Sequence, residues 1–339
     1  MQLQTRRIIP LKAVLMIDSN TWLQQTVIRE LQDVCEIEVT DISIPLIIAK
    51  GDSPYIEADV LICWRASKGL IKNIKGLKLI QVWGAGIDQI DVAAAKKRNI
   101  IVCNTKGAMA NAVAEYVLMQ ILVWERDLLY WNKIAHLGQW DWERRNSNPF
   151  IELSDRCIGI IGMGMIGTEV AKKAAGLGLK VWVITKNPSK VEEELKEQIC
   201  FLGGLEKMEE VVANVDYLSL HLPLTEGTHH LVDNKWLQQM KPNSVLINTS
   251  RGAIIDEQAL ASVLKDRQIR GASLDVLTNE PGKMKTTPVS SPFNGLENVI
   301  LTCHHAGYTT RAIKNTIDMI KVNIQAIMGG DEERLVNRI

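Results

Sequence analysis

A glycine-rich turn between two apolar runs constrains the fold of this chain more than any other feature. The run Cys157 to Ile161 leads into Gly162-Met163-Gly164-Met165-Ile166-Gly167, an alanine-rich helical stretch follows, and a second β-branched run covers Val181 to Ile184. In such a βαβ unit the first glycine permits the tight turn, the second lets the backbone approach a pyrophosphate, and the third lets helix and strand pack closely. The helix N-terminus then offers unpaired N–H groups to the phosphates. Because the strand and the helix are both present, the stretch predicts a dinucleotide site.

The length and composition indicate a globular enzyme with two domains. The chain has 339 residues, of which 46% are apolar and 23% are charged, as in ordinary soluble proteins. Lysine and arginine together number 39, as do aspartate and glutamate. A balanced chain has no field that attracts polyanions, so we expect neither nucleic acid nor membrane as a partner.

The cysteine pattern favours reduced thiols. Six cysteines are scattered singly, with no CxxC pair: Cys35, Cys63, Cys103, Cys157, Cys200 and Cys303. We interpret them as buried thiols rather than as disulfides or metal ligands, and we predict no metal site. The N-terminal stretch 1–10 lacks the apolar core of a signal peptide, and no apolar run is long enough to span a membrane. These features predict a cytoplasmic protein.

Short β-rich runs alternate with helical segments along the rest of the chain. This alternation predicts parallel sheets covered by helices. Residues 109–137 have apolar positions at helical spacing, which predicts one long helix or two, with packing as the function of its apolar residues. Further β-like runs after the glycine turn predict a doubly wound sheet of about six strands. The final helical segment, 312–328, is expected to pack back onto the first domain, which would make the cofactor domain an insertion.

Polar residues follow three of the predicted strands. The segments are Asn248 to Gly252, Asp275 to Pro281 and Thr302 to Gly307. Strand ends of a parallel sheet meet at one edge, so an arginine, a glutamate and a histidine can converge there. They would supply a carboxylate clamp, a carboxylate that holds an imidazole protonated, and a general acid. Singly, Arg251 can also be a helix cap, Glu280 a solvated loop charge, and either histidine a core residue.

Several motifs occur in the order of a known family. They are VWGAGIDQID (82–91), NAVAEY (111–116), GMGMIG (162–167), HLPLTEGTHHLVD (221–233), INTSRGAIIDEQAL (247–260), LDVLTNEP and CHHAGYT. Through them the sequence resembles the D-isomer-specific 2-hydroxyacid dehydrogenases over nearly its whole length. The resemblance implies an α/β protein with a flavodoxin-like substrate domain, residues 1–106 and 305–339, and an inserted doubly wound NAD(P)-binding Rossmann domain, residues 107–304. It also implies a homodimer that associates through the long helices.

The resemblance also implies the roles of the site residues. Arg251 would bind the substrate carboxylate and carbonyl, Glu280 would pair with His304, and His304 would exchange the proton with the substrate oxygen. His305 stands where the family has an apolar residue, so we assign catalysis to His304. Substrate-binding backbone groups are expected near Trp83, Gly84, Ala85 and Gly86. Expected cofactor-binding residues are Gly162, Gly164, Met165, Ile166, Gly167, Thr185, Lys186, Asn187, Leu222, Pro223, Thr228, Thr249 and Asp275, the last orienting the nicotinamide carboxamide.

The implied reaction is reversible hydride transfer between NAD(P)H and C2 of a small 2-oxo acid such as glyoxylate or hydroxypyruvate. An oxidation like that of D-3-phosphoglycerate dehydrogenase is one alternative. A nicotinamide-sensing corepressor that binds protein partners is another, of a different class. The acid at Glu280 disfavours formate oxidation, because the formate-oxidising relatives have glutamine there.

The residues after the second strand of the βαβ unit indicate the cofactor. NAD-preferring proteins carry an acidic residue there to bind the ribose hydroxyls, but this chain has Thr185. Lys186, Asn187, Ser189 and Lys190 follow, and they can donate to a 2′-phosphate with no carboxylate among them to repel it. The alternative is an ordinary solvated turn. We predict that NADP is preferred over NAD.

Overall fold

The chain forms two compact units in the computed structural model. The residues described are 11–17, 21–40, 56–147, 149–280 and 291–339. Of these, the first unit contains those up to Met109 and those from Thr309 to Ile339, and the second contains the rest. The boundaries thus lie at 109/110 and 308/309, where the sequence predicted 106/107 and 304/305. The N-terminal stretch 1–10, used above for the cytoplasmic prediction, lies outside the described residues.

The first unit is built on a sheet of five parallel strands. Along the chain its elements are β1 (Leu11–Met16), α1 (Thr21–Leu31), β2 (Cys35–Val39), β3 (Ile56–Glu57), β4 (Val60–Cys63), α2 (Lys68–Asn73), β5 (Ile74–Lys75), β6 (Leu79–Val82), α3 (Val92–Lys97) and β7 (Ile101–Cys103). The sheet order is β2-β1-β4-β6-β7, and β3 and β5 pair separately. Counted among the five strands alone, this is the flavodoxin-like order 2-1-3-4-5. The predicted fold of this unit is confirmed.

The second unit begins with helices and continues as a doubly wound sheet. Its elements are α4 (Ala110–Glu125), α5 (Leu128–His136), α6 (Trp142–Ser147), β8 (Cys157–Ile161), α7 (Met165–Gly176), β9 (Lys180–Ile184), α8 (Glu193–Lys196), β10 (Ile199–Gly203), α9 (Met208–Asn214), β11 (Tyr217–Leu220), α10 (Asn234–Leu237), β12 (Val245–Asn248), α11 (Glu257–Lys265), β13 (Gly271–Leu274) and β14 (Val299–Leu301). Short 3₁₀ turns cover Leu153–Asp155, Pro188–Lys190, Leu205–Lys207 and Gly252–Ile254.

The sheet of the second unit has the strand order of a dinucleotide-binding fold. Its order is β10-β9-β8-β11-β12-β13-β14, and every neighbouring pair is parallel. The first six strands have the Rossmann order 3-2-1-4-5-6, and β14 adds a seventh beside β13. The sheet therefore has one strand more than expected. The order reverses between β8 and β11, and ligands of such sheets bind beyond the strand ends at that point.

The central strands of this sheet are buried on both faces. Ile158 and Ile160 belong to the core cluster on one face, and Cys157 and Ile161 belong to the cluster on the other. Side chains of a strand alternate between faces, so apolar residues at every position indicate a sheet covered on both sides. This explains why the sequence shows continuous apolar runs here. A ligand can reach the sheet only at its edges.

The long helical segment consists of two helices. α4 ends at Glu125, and Asp127 has φ +50° before α5 begins. Val117 and Ile121 of α4 are fully buried in the core of the second unit, which supports packing as their function. A further short helix, α6, lies between α5 and β8, and its residues include no buried side chain among those described.

The closing helix, α12 (Thr310–Gly329), belongs to the first unit. Thr309 caps its N-terminus by accepting a hydrogen bond from the Ala312 amide at 3.2 Å. Its buried face joins the core around β1 and β4 through Ile313, Ile317, Ile320 and Ile324. Asn323 Nδ2 also donates to Gln81 Oε1 of β6 at 2.8 Å. A 3₁₀ turn, Glu332–Arg334, follows.

Candidate active site

The turn between β8 and α7 has close contacts at two of its three glycines. Gly162 adopts φ +102°, and a Cβ atom there would lie 2.4 Å from the carbonyl oxygen of His221. A Cβ atom on Gly167 would lie 2.0 Å from the carbonyl oxygen of Gly162. At Gly164 a Cβ atom would meet no described atom within 4 Å. The outer glycines are therefore required for packing, whereas Gly164 leaves an open approach to α7.

The N-terminus of α7 has the properties of a phosphate site. Gly164 is its N-cap, and no described side chain caps the helix. The first N–H groups of a helix have no acceptor within the helix and attract anions. Met165 is half exposed, whereas Ile166 packs against the core, so the backbone rather than the side chain of Ile166 is available to a ligand.

A buried hydroxyl at the end of β12 has no partner within the described residues. Thr249 follows Asn248, and its Oγ1 atom is buried without a hydrogen bond. Buried polar groups in native proteins are almost always satisfied, so an orphaned hydroxyl indicates a ligand or an ordered water. Thr249 is at the strand end where the sequence predicted a cofactor contact, and a dinucleotide fits this site.

A cavity of about 190 Å³ lies beyond the ends of β8 and β9. Its lining consists of Met163, Thr168, Thr185, Asn187, Lys190, Val191, Glu192 and Leu195. The predicted Thr185 and Asn187 are thus together, and the Asn187 amide donates to Thr185 Oγ1 at 3.4 Å. Lys186 is exposed and is not part of the lining.

Glu192 is a charged residue of this cavity that the sequence interpretation did not include. No carboxylate stands among residues 185–190, as predicted, but Glu192 follows the 3₁₀ turn Pro188–Lys190 and belongs to the lining. The Glu192 carboxylate pairs with Lys172 Nζ at 3.5 Å, and both side chains are exposed. The pocket therefore contains charges of both signs.

The segment after β11 packs against the glycine turn. The Leu222 side chain would be 3.0 Å from a Cβ atom on Gly162. Thr228 uses its hydroxyl within the segment, since Oγ1 donates to the Pro223 carbonyl at 2.6 Å and accepts from the Thr225 amide at 2.8 Å. Thr228 therefore shapes the loop in which Leu222 and Pro223 stand.

Asn248 fixes the loop that carries Arg251. Asn248 is fully buried, and its Nδ2 atom donates to the Arg251 carbonyl at 2.9 Å. Its Oδ1 atom accepts from the Ser250 amide at 3.0 Å and from the Ser250 hydroxyl at 2.7 Å. The Arg251 guanidinium donates to the Ser250 carbonyl at 2.8 Å. The backbone around Arg251 is therefore held on both sides by one buried amide.

Gly252 brings the Arg251 loop against the segment that carries Glu280. A Cβ atom on Gly252 would lie 2.0 Å from the carbonyl carbon of Leu277 and 2.2 Å from the nitrogen of Thr278. The Thr278 amide in turn donates to Glu257 Oε1 at 2.6 Å. The backbones of the segments that follow β12 and β13 are therefore in direct contact at Gly252.

His304 and Glu280 form a hydrogen-bonded pair. His304 Nδ1 lies 2.8 Å from Glu280 Oε2 and 3.1 Å from Oε1, and both side chains are more than a third exposed. Burial favours a raised pKa for Glu280, but the hydrogen bond and charge of His304, and to a smaller degree the Leu277 amide and Arg251, hold that pKa below its usual value. The carboxylate orients the imidazole through Nδ1 and leaves Nε2 for a substrate.

Asp275 organises the loop that carries His304. It is 3% exposed. Its Oδ1 atom accepts from the Thr302 hydroxyl at 2.6 Å and from the His305 amide at 3.1 Å, and Oδ2 accepts from the Ala306 amide at 2.9 Å. The sequence interpretation assigned Asp275 to the nicotinamide carboxamide and missed these contacts within the loop.

The predicted substrate loop lies in the first unit, after β6. Trp83 is 2% exposed, and its ring lies 6.2 Å from that of Trp64. Gly84 has φ +124°, and its amide donates to Thr105 Oγ1 at 2.8 Å. Within the described residues the amides of Ala85 and Gly86 donate to no protein acceptor. They are the N–H groups of this loop that a carboxylate can use.

The described part of the chain contains no group of three or more histidine, cysteine, aspartate or glutamate residues that could hold a metal ion. None of its helices is both long enough and apolar enough to cross a bilayer. Four of the cysteines are buried, but Cys200 and Cys303 are exposed, which corrects the expectation that all are buried.

Residues 118–306 match the sequence profile of the family described as "D-isomer specific 2-hydroxyacid dehydrogenase, NAD binding domain". The chain belongs to this family. A glyoxylate reductase of Thermococcus litoralis is 33% identical to this dehydrogenase over 285 residues, 82% of either chain. A D-3-phosphoglycerate dehydrogenase of Methanocaldococcus jannaschii is 32% identical over 321 residues, 93% of this chain and 58% of the relative.

A solved structure shows the same fold. An acyclic imino acid reductase in complex with NADPH and D-Arg superimposes on this dehydrogenase with a TM-score of 0.78 and 32% identity, covering 96% of this chain and 99% of the other. The dehydrogenase is therefore a nicotinamide-dependent oxidoreductase of the CH–OH group, and its second unit contains the dinucleotide-binding fold.

Proposed function

We propose that this dehydrogenase catalyses reversible hydride transfer between NAD(P)H and C2 of a small 2-oxo acid such as glyoxylate or hydroxypyruvate. The observation that carries the proposal is the His304–Glu280 pair, 2.8 Å apart, on the strand-end edge of the dinucleotide sheet. An imidazole beside a carboxylate is suited to exchange a proton with a developing alkoxide. The relatives named glyoxylate reductase support the substrate class.

The residues of the proposed site have different roles in the reaction. When bound, the nicotinamide supplies or accepts the hydride. His304, held at Nδ1 by Glu280, donates from Nε2 to the substrate oxygen during reduction and takes the proton back during oxidation. Arg251 binds the carboxylate and polarises the carbonyl, which its planar guanidinium can do with two parallel hydrogen bonds. The amides of Ala85 and Gly86, next to Trp83 and Gly84, would hold the carboxylate of the substrate.

The cofactor-binding residues are proposed on the geometry of the second unit. The N-terminus of α7 with Gly162, Gly164 and Gly167 would hold the pyrophosphate. The orphaned Thr249 hydroxyl would gain a partner, and Asp275 Oδ2 would accept from the carboxamide. The loop after β11, with Leu222, Pro223 and Thr228, would line the site, as would the half-exposed Met165 and the Ile166 amide. By this assignment the second unit is the cofactor domain inserted into the substrate domain.

NADP is proposed as the preferred cofactor. Thr185, Asn187 and Lys190 line the cavity and can donate to a 2′-phosphate, and the exposed Lys186 adds positive charge nearby. Glu192 opposes this preference, but its ion pair with Lys172 offsets its charge. The ratio of kcat/KM for NADPH to that for NADH is expected to exceed one. A strong preference for NADH would contradict the proposal.

A homodimer is proposed through α4 and α5. A surface groove of about 470 Å³ there is lined by Glu115, Leu118, Met119, Leu122, Val123, Arg126 and Leu128. Leu122 is 41% exposed and Leu128 is 53% exposed. Glu115 and Arg126 lie about 16 Å apart along the helix axis. An antiparallel α4 of a second copy would pair each of these charges with its opposite, so the groove is self-complementary.

A second candidate function is the reduction of an imine at C2. It is favoured by the likeness to the imino acid reductase, which covers nearly the whole of this chain. An oxidation like that of D-3-phosphoglycerate dehydrogenase has support from the second relative, of which this chain covers 58%. The corepressor-like alternative and the cytoplasmic location stay predictions from the sequence.

A panel assay separates these candidates. The purified protein is mixed with NADPH and glyoxylate, hydroxypyruvate, pyruvate or phosphohydroxypyruvate, each with and without methylamine, and cofactor oxidation is followed. Turnover with a 2-oxo acid alone supports the proposal. Turnover that requires the amine indicates imine reduction, a requirement for the phosphorylated acid indicates the second alternative, and negligible turnover with all of them indicates a binding protein.

A further inference from the structure

A chain of hydrogen bonds runs from α4 to the loop that carries His304. The Tyr116 hydroxyl lies 2.5 Å from Thr302 Oγ1, and Thr302 Oγ1 donates to Asp275 Oδ1 at 2.6 Å. An ionised carboxylate only accepts hydrogen bonds, so the single proton of Thr302 is used on Asp275. The Tyr116 hydroxyl must therefore donate to Thr302. The hydrogen bonds therefore all run in one direction, from Tyr116 through Thr302 to Asp275.

Tyr116 is suited to remain a donor. Burial raises the pKa of its phenol, which keeps the hydroxyl protonated. Its ring also meets the His305 ring edge-on, with 5.5 Å between centroids and an interplanar angle of 84°. The same side chain thus touches the residues on both sides of His304.

The backbone of His304 is held in an unfavourable conformation at the end of this chain. His304 has φ +52°, a left-handed value that is uncommon for residues other than glycine. Its amide donates to the Asp275 carbonyl at 2.7 Å, and the next two amides donate to the Asp275 carboxylate. The loop is wrapped around Asp275, and Thr302 is the side chain that holds Asp275 from the other side.

We infer that Tyr116 and Thr302 are positioning residues, which act through Asp275 to keep the His304 imidazole in its reactive orientation. The inference rests on the proposed role of His304. Small displacements of a catalytic group lower kcat strongly without affecting binding, because the transition state depends most on alignment. Neither side chain has been assigned contact with substrate or cofactor.

The test compares substitutions that remove or keep the hydroxyl. Thr302→Val keeps the shape but removes the hydrogen bonds, and its kcat is expected to fall about tenfold with the Kd for NADPH unchanged within about threefold. Tyr116→Phe is expected to lower kcat about threefold. Thr302→Ser keeps the donor and should retain kcat within about twofold. Thr316→Val is the matched control, because Thr316 is fully buried in α12 and its hydroxyl has no partner within the described residues.

A structural readout separates this inference from the proposed reaction. In Thr302→Val the amides of residues 304–306 should exchange with deuterium faster than in the wild type, whatever the substrate. Unchanged exchange together with unchanged kcat would overturn the inference, as would Thr302→Ser being as impaired as Thr302→Val. If the wild type shows no turnover but the amides of residues 304–306 exchange faster in Thr302→Val, the proposed function is contradicted. The inference that Thr302 supports the loop would still hold.

Discussion

At the scale of single residues, Glu192 and its partner Lys172 determine the charge balance of the cavity beyond the ends of β8 and β9, the proposed site of the 2′-phosphate. Glu192→Gln removes a negative charge that repels a 2′-phosphate, so the NADPH to NADH ratio of kcat/KM should rise about threefold. Lys172→Ala leaves Glu192 unpaired, and the ratio should fall by a similar factor.

Glu193→Gln serves as the control for this pair. Glu193 is adjacent in sequence, but it pairs with Lys196 at 2.6 Å and is not part of the cavity lining. Its substitution should leave the ratio unchanged. If the NADPH to NADH ratio of kcat/KM changes in the same direction in Glu192→Gln and Lys172→Ala, Glu192 does not face the cofactor.

His221 makes the stability of the protein depend on pH. Its Nε2 atom lies 2.9 Å from the Ser219 hydroxyl, and loss of solvation lowers its pKa from 6.5 to about 4. Between these values the unfolded chain binds a proton that the folded chain does not, so stability falls as the pH drops through this window. From pH 7 to pH 5 the loss from this one group should be about 2 kcal/mol.

Urea unfolding of the wild type and of His221→Gln at pH 7 and pH 5 measures this contribution. The variant should lose less stability than the wild type on acidification, because it has no imidazole to protonate. An equal loss in both proteins would show that His221 is not the group responsible.

The approach of Glu280 to His304 could be predicted from the sequence, because both lie in polar segments that follow apolar strands, and parallel strand ends share an edge. The roles proposed for Arg251, Glu280 and His304 come from the family resemblance. Glu192 and the Tyr116–Thr302 contact could not be predicted in this way. Glu192 depends on a 3₁₀ turn that reverses the chain, and Tyr116 meets Thr302 across a separation of 186 residues.

At the scale of elements, the glycines of the turn before α7 have two roles. Gly162 and Gly167 are required for packing, whereas Gly164 is proposed to leave room for the cofactor. Gly164→Ala should fold normally, because its Cβ atom would meet no described atom, but the Kd for NADPH should rise about tenfold as the methyl group meets the pyrophosphate. Thermal unfolding and fluorescence titration with NADPH measure the two effects.

Gly176→Ala is the control for this prediction. Gly176 ends the same helix, and a Cβ atom there also meets nothing within 4 Å among the described residues. This variant should bind NADPH like the wild type. Equal binding by Gly164→Ala would contradict the placement of the phosphates at the N-terminus of α7.

The strands were predictable because those of the second sheet are largely buried on both faces and therefore contain almost only apolar residues. The apolar runs after the glycine turn form strands of this sheet, including the half-exposed β14. The exact helix boundaries were not predictable, since the break between α4 and α5 depends on the backbone conformation of Asp127 rather than on a glycine or proline.

At the scale of the whole molecule, the groove on α4 and α5 makes the oligomeric state testable. Leu122→Glu places a charge within the apolar lining and should convert a dimer into a monomer. Leu205→Glu is the matched control, because Leu205 is 47% exposed but lies outside the groove. Light scattering after gel filtration gives the mass of each. A wild-type monomer, or a dimer that survives Leu122→Glu, would contradict the proposed interface.

The turnover of the His304→Ala variant tests the proposed chemistry most directly. Using the best 2-oxo acid of the panel and NADPH, we expect kcat to fall at least about a hundredfold, because the proton donor for the substrate oxygen is lost. The Kd for NADPH should stay within about twofold of the wild-type value, since His304 is assigned to the substrate and not to the cofactor. Undiminished turnover of this variant would contradict the assignment of His304 as the general acid.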